Sequence, residues 1–243
     1  MLRAVWIAAV LTGCVAGDDA ATGHDEPSDF DPVTWSHDGK ADFSGVPAAF
    51  DHDAIVDDTV FTTAAVDGDA IQAFLESTPY GNRSWLADYS IGGKRFADRV
   101  VEIATADGID PAILLVRLQV ESSVIGKTVR PSAATLSHAT GCGCHDGSSC
   151  SASLSGFENQ LQCAADTYKK WFEGSAGGTG EWRRSHSATS LDHVTVTPRN
   201  DATASLYAYT PWVLVGRGGA WLTWNVTRRY LKQFDDAGTL RLP

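Results

Sequence analysis

Glu121 stands near the end of the run Asp110-Pro111-Ala112-Ile113-Leu114-Leu115-Val116-Arg117-Leu118-Gln119-Val120-Glu121-Ser122-Ser123. Pro111 suits the first position of a helix and Asp110 suits its N-cap, so the run reads as a helix ending near Gly126. Leu114, Leu118, Glu121 and Ile125 then share one face, which is expected to be buried. A carboxylate there occupies a place where a core helix wants an aliphatic, in the last turns, where the helix dipole disfavours negative charge. Apolar surroundings and the dipole both favour the protonated acid. An acid that keeps its proton near neutral pH is what cleavage of a glycosidic bond needs as its general acid. The plainer alternative is that Glu121 reaches solvent or pairs with Arg117, its i−4 neighbour.

The other chemistry-bearing cluster is the set Cys142, Cys144, Cys150 and Cys163. In an exported chain four clustered cysteines suggest two disulfides, for which three pairings exist. Cys142, Cys144, His145 and Cys150 are also zinc-type ligands, but their C-x-C-H-x4-C spacing is a poor match to structural zinc sites. No metal and no cofactor is expected. Eight tryptophans and six tyrosines complete the inventory. Most suit the core, and an aromatic-lined cleft would also suit the flat C–H faces of sugar rings.

Helical patterns must position these groups. Periodicity predicts helices over 67–77, 93–107, 111–126, 155–173, 200–209 and 220–234, with an irregular stretch over 127–154 and an open loop over 174–180. Residues 194–197 read as a short strand stopped by Pro198. The expectation is one mainly α domain with little β structure.

The two ends of the chain differ. Residues 15–60 hold twelve acidic residues and one lysine, whereas residues 61–243 nearly balance seventeen basic against eighteen acidic residues. The acidic stretch lacks a sustained apolar period and reads as a disordered tether. A near-neutral body on an acidic tether makes a poor nucleic-acid binder, so no nucleic-acid partner is expected. Met1-Leu2-Arg3 and the apolar run 4–11 form a signal-peptide pattern, too short for a stable membrane span. Leu11-Thr12-Gly13-Cys14 resembles a bacterial lipobox, which implies cleavage before Cys14 and a lipid on its thiol. An ordinary signal peptide is the alternative. The expected division is a signal peptide over 1–13, a tether over 14–55 and a folded domain over 56–243, exported to the cell envelope and facing the periplasm or the cell surface.

Three segments in order carry a wider resemblance. They are 112–123; Ala139-Thr140-Gly141-Cys142-Gly143-Cys144 followed by Gly156-Phe157-Glu158-Asn159-Gln160; and 201–212, which holds Tyr207-Ala208-Tyr209-Thr210-Pro211-Trp212. Together they resemble the lysozyme-like superfamily, in particular bacterial cell-surface domains of the glucosaminidase or lytic-transglycosylase type called hemagglutinin-related. The resemblance covers roughly 56–235. It implies a lysozyme-like helical domain with a disulfide-stapled loop, acting on peptidoglycan glycan strands. It makes Glu121 the catalytic acid, and Ser122, Gln160, Tyr207 and Tyr209 substrate-binding residues. Relatives carry one cysteine pair, at the positions of Cys144 and Cys150. The added Cys142 and Cys163 therefore imply the pairings Cys144–Cys150 and Cys142–Cys163.

Hydrolysis commonly uses a second carboxylate. Among Asp146, Glu158, Asp166, Glu173 and Asp192, Asp146 is the best placed, in the disulfide loop. Lytic transglycosylases need only one. A non-catalytic glycan-binding or adhesive lipoprotein and a purely structural lipoprotein are the alternatives. The chain has no Gly-x-Ser-x-Gly elbow, phosphate loop or zincin motif.

Overall fold

The computed structural model describes residues 45–144 and 151–242. Cys14, Asp146 and Cys150, together with the signal segment and most of the tether, lie outside the described residues.

The described chain is mainly helical with little strand. A short helix α1 (Asp58–Thr62) precedes α2 (Gly68–Glu76). A small hairpin of β1 (Ser90–Ile91) and β2 (Lys94–Arg95) follows. Its two turn residues, Gly92 and Gly93, both take positive φ, as a two-residue hairpin turn requires. Then come α3 (Phe96–Ala106), α4 (Pro111–Ser122) and the one-turn helix α5 (Ala133–Leu136). The long α6 (Phe157–Ala176) is followed by β3 (Ala188–Thr189), which pairs antiparallel with β4 (Thr195–Val196). Helices α7 (Asp201–Tyr209) and α8 (Gly219–Asp236) close the fold. Among the described residues no helix is long and apolar enough to cross a membrane.

All six predicted helices are present, with ends moved by about a turn or less. The shifts have local causes. Helix α3 starts late because Gly92 and Gly93 make a hairpin, which helical periodicity alone missed. Helix α4 stops at Ser122 because Ser123 takes a left-handed conformation (φ 53°) as its C-cap. Helix α6 runs through Gly174 to Ala176, into the predicted open loop.

Helix α4 is the axis of the fold. Its first nine residues, Pro111 to Gln119, are all buried, and α3, α6 and α8 pack around it. A helix apolar on one stripe would leave the other side wet; this one is covered all round until its last turn. The predicted face of Leu114, Leu118, Glu121 and Ile125 therefore needs correction. Leu114, Leu118 and Ile125 are buried, but Glu121 is exposed. It falls where α4 emerges from its neighbours, and Ile125 reaches the core from the turn beyond the helix. The last turn of α4 is therefore not enclosed by apolar side chains as its first nine residues are.

The N-terminal boundary also lies earlier than composition suggests. Within 45–55, assigned to the tether, Val46 and Ile55 are core residues. The Ile55 N–H donates to the Thr203 hydroxyl (3.0 Å), and the Trp224 indole N–H donates to the Pro47 carbonyl (2.9 Å). Apolar residues spaced among acids can still fill a groove in extended chain, which a helical or alternating period does not detect.

The start of α4 is fixed by Asp110, which is buried. Its two carboxylate oxygens accept from the backbone N–H groups of Ala112 and Ala65, each at 2.7 Å. One side chain thus caps α4 and anchors the segment between α1 and α2. Burial raises its pKa to about 7 from the ordinary 3.8, against the pull of those two N–H groups. The folded chain therefore holds this proton more tightly than the unfolded chain. The stabilisation is fully present below the unfolded value and is lost as pH rises through about 7. The stability of the wild type relative to Asp110→Asn should fall by up to about 4 kcal/mol between about pH 4 and about pH 8. Urea denaturation of both proteins across that range measures it; a constant difference would remove the assigned protonation.

Candidate functional site

The last turn of α4 carries an ion pair between a buried and a more exposed side chain. Arg117 is 1% exposed and Glu121, four residues on, is 28% exposed at the side chain. The Arg117 Nη1 donates to Glu121 Oε1 and to the Thr210 hydroxyl at 2.9 Å. Its Nε donates to the Tyr168 hydroxyl at 2.7 Å. The guanidinium carbon lies 3.9 Å from the centre of the Tyr209 ring and 5.4 Å from that of Tyr168. These two rings are 4.9 Å apart, so the cation sits against a pair of aromatic faces. Burial alone would lower the Arg117 pKa, but Tyr168, Glu121 and Tyr209 outweigh it and hold the guanidinium above its ordinary value. Burial pushes the Tyr168 and Tyr209 phenols up, and Arg117 opposes it.

The second oxygen of Glu121 faces a loop. A Cβ placed on Gly141 would lie 3.1 Å from Oε2, and Gly141 has φ +69°. Close approach and backbone conformation both call for glycine there. This loop, 139–144, is pinned from three helices. At the end of α4, the Ser122 hydroxyl donates to the Ala139 carbonyl (2.7 Å). From α7, the Tyr209 hydroxyl donates to the Thr140 carbonyl (3.0 Å). From α6, the fully buried Gln160 does the most. Its Oε1 accepts from the Thr140 N–H (3.3 Å) and hydroxyl (3.0 Å). Its Nε2 donates to the carbonyls of Cys142 (2.9 Å) and Leu154 (2.8 Å). A disulfide joins Cys142 to Cys163 on α6, with Cα atoms 6.0 Å apart. Cys144 is also disulfide-bonded; the expected pairing with Cys150 lies outside the described residues.

The residues expected to bind substrate thus separate into two groups. Ser122, Gln160 and Tyr209 converge beside Glu121, but their polar groups are spent on loop carbonyls and N–H groups. Tyr207 does not join them. Two residues apart on a helix point to different sides. Tyr207 is fully buried and stacks on Trp182, ring centres 4.9 Å apart. Its hydroxyl has no hydrogen-bond partner among the described residues. Burial raises its pKa, and Asp53, Asp192 and Asp51 push the same way.

The other candidate carboxylates are engaged elsewhere or lie on the surface. Glu158 pairs with Arg99 at 2.7 Å. Asp166 accepts from Gln162 on its own helix at 2.9 Å. Asp192 accepts from the N–H groups of Val213 and Leu214 and from the Ser190 hydroxyl. Glu173 is exposed on α6. Among the described residues no group of three or more His, Cys, Asp or Glu is placed to hold a metal ion.

Helical spacing pairs Arg117 with Glu121 but does not show that Arg117 is buried, nor that Tyr168 and Thr210 bind it. A charged residue inside an unbroken apolar run was the available signal. No protein-family model, characterised protein or solved structure matches the chain. The chemistry of the site must therefore be argued from its own residues.

Two substitutions test the pinned loop. Gln160→Leu keeps most of the volume but strands the Thr140 N–H and the Cys142 and Leu154 carbonyls, at about 2–4 kcal/mol in total. Gly141→Ala adds a Cβ against Glu121 Oε2 at a positive φ and should cost about 1–3 kcal/mol. Denaturant midpoints report both, and wild-type midpoints would show that the loop is not held this way.

Proposed function

We propose that the protein is an exported lipoprotein, tethered through Cys14, whose helical body is a lysozyme-like domain that cleaves peptidoglycan glycan strands with Glu121. The observation that carries the reading is the setting of Glu121. It is an exposed carboxylate at the mouth of a buried helix, with one oxygen bound to a fixed cation. The other oxygen faces the backbone of a loop pinned by three helices and a disulfide. A merely solvated glutamate has no need of such a frame.

The division of labour between the two oxygens suits proton transfer. Oε1 accepts from Arg117, which leaves Oε2 to carry a proton toward a bound glycan. As general acid, Oε2 gives its proton to the glycosidic oxygen while the C1–O bond breaks. As base, it then takes the proton of the muramic acid 6-hydroxyl as that oxygen attacks C1 and closes an anhydro ring. This sequence uses one carboxylate. It fits the engagement of Glu158, Asp166 and Asp192 elsewhere, with Asp146 outside the described residues.

The ion pair itself favours a second reading. A carboxylate clamped to a buried guanidinium is well suited to accept hydrogen bonds from sugar hydroxyls without transferring a proton. A glycan-binding module built on the same frame would use Glu121 in that way.

Digestion of purified sacculi separates the two. The catalytic reading expects soluble muropeptides, with anhydro ends for a transglycosylase and reducing ends for a hydrolase. Glu121→Gln should lower their release at least about 100-fold. This variant leaves Arg117 without its anion and should lose about 1–3 kcal/mol of stability, so both proteins are compared well below their unfolding temperatures. Binding to sacculi without release selects the second reading, and no binding excludes both.

A further inference from the structure

We infer that Arg117 is a positioning residue for Glu121: it fixes Oε1 so that Oε2, on the Gly141 side, is the oxygen presented to the glycan. The inference rests on the reading of Glu121 as the reacting group and assigns the residue that orients it.

The argument starts from the cost of the arrangement. A cation buried in a helical core loses its hydration, and an unbranched apolar side chain of similar length would pack there at no such cost. The charge is accommodated only because partners from separate elements converge on it. Tyr168 of α6 takes Nε, Thr210 just after α7 takes Nη1, and the ring of Tyr209 on α7 lies under the guanidinium. These contacts hold a planar group on both an edge and a face, which an ammonium could not reproduce. The guanidinium is therefore immobile, and Glu121 is bonded to an immobile donor.

Tyr209 ties this seat to the opposite wall. Its ring supports Arg117 while its hydroxyl holds the Thr140 carbonyl, next to Gly141. The carboxylate and the loop it faces are located by the same side chain, so their separation is set by rigid parts. Fixing a reacting group in this way acts on the chemical step more than on binding, and small misplacements cost large factors in rate.

The test is steady-state turnover of soluble, uncrosslinked glycan strands by folded full-length protein, with crystal structures of the variants. Arg117→Met should lower kcat at least about 10-fold with KM within about 2-fold. The double variant Arg117→Met/Glu121→Gln should be no slower than Glu121→Gln, because Arg117 acts only through Glu121. Arg117→Lys should restore only part of the loss. In the Arg117→Met structure, Glu121 should have left Gly141. Should Arg117→Met fail to fold, Thr210→Val and Tyr168→Phe each remove one acceptor while keeping shape, and should lower kcat in the same direction by a smaller factor. An unchanged kcat in these variants, a double variant slower than Glu121→Gln, or Glu121 still in place without Arg117 overturns the inference. A Glu121→Gln variant as active as the wild type instead overturns the reading of Glu121, and the inference falls with it.

Discussion

A guanidinium inside the core sets requirements that the surrounding helices must meet together. Arg117 lies on the stretch of α4 that is covered on every side, where an unpartnered cation would cost several kcal/mol. Its Nε and Nη1 donors are served by Tyr168, Thr210 and Glu121, and the Tyr209 ring lies against its face. Those residues belong to α4, α6 and the C-terminal end of α7, so the three helices can approach only in a way that closes around the charge. The extensive packing of α7 on α6 carries two members of that set. Because the anion of the pair is one turn closer to the helix end than the cation, charge is handed from the interior to the surface along a single helix face.

The irregular chain beside this pair obeys a different rule. Backbone that runs against a core outside helix or sheet must find partners for its N–H and C=O groups. Gln160 is suited to the task, since one amide supplies an acceptor for Thr140 and donors for two carbonyls. Ser122 and Tyr209 add one bond each, and the Cys142–Cys163 bridge fixes the loop to α6 covalently. Ser122, Gln160 and Tyr209, which the resemblance assigns to substrate, thus spend their polar groups on holding this loop. On the proposed reading, the groups left for a glycan on this side are Glu121 Oε2 and the loop backbone.

Much of this was legible in the sequence. Asp110 reads as an N-cap, and Asp67 and Asn200 stand where predicted helices begin; all three side chains bond the first turns of their helices. The pairing of Cys142 with Cys163 followed from the way the resemblance separated the four cysteines. The segments 139–144 and 156–160, singled out as motifs, do come together. The hairpin at Gly92-Gly93 was missed because its strands are two residues long, too short for an alternating pattern to register.

What the sequence by itself determined was local: a mainly helical chain, its caps and the i, i+4 relation of Arg117 to Glu121. Such features depend on neighbours within a turn or two, and one strand of text contains them. Only the tertiary structure decided that the arginine is the buried member of that pair and the glutamate the exposed one. It also decided that Tyr209 faces the site while Tyr207 stacks in the core against Trp182, and that residues 45–55 belong to the body. Helical periodicity states which residues share a face. It does not state where along the helix that face stops being covered, because the cover is supplied by segments distant in sequence.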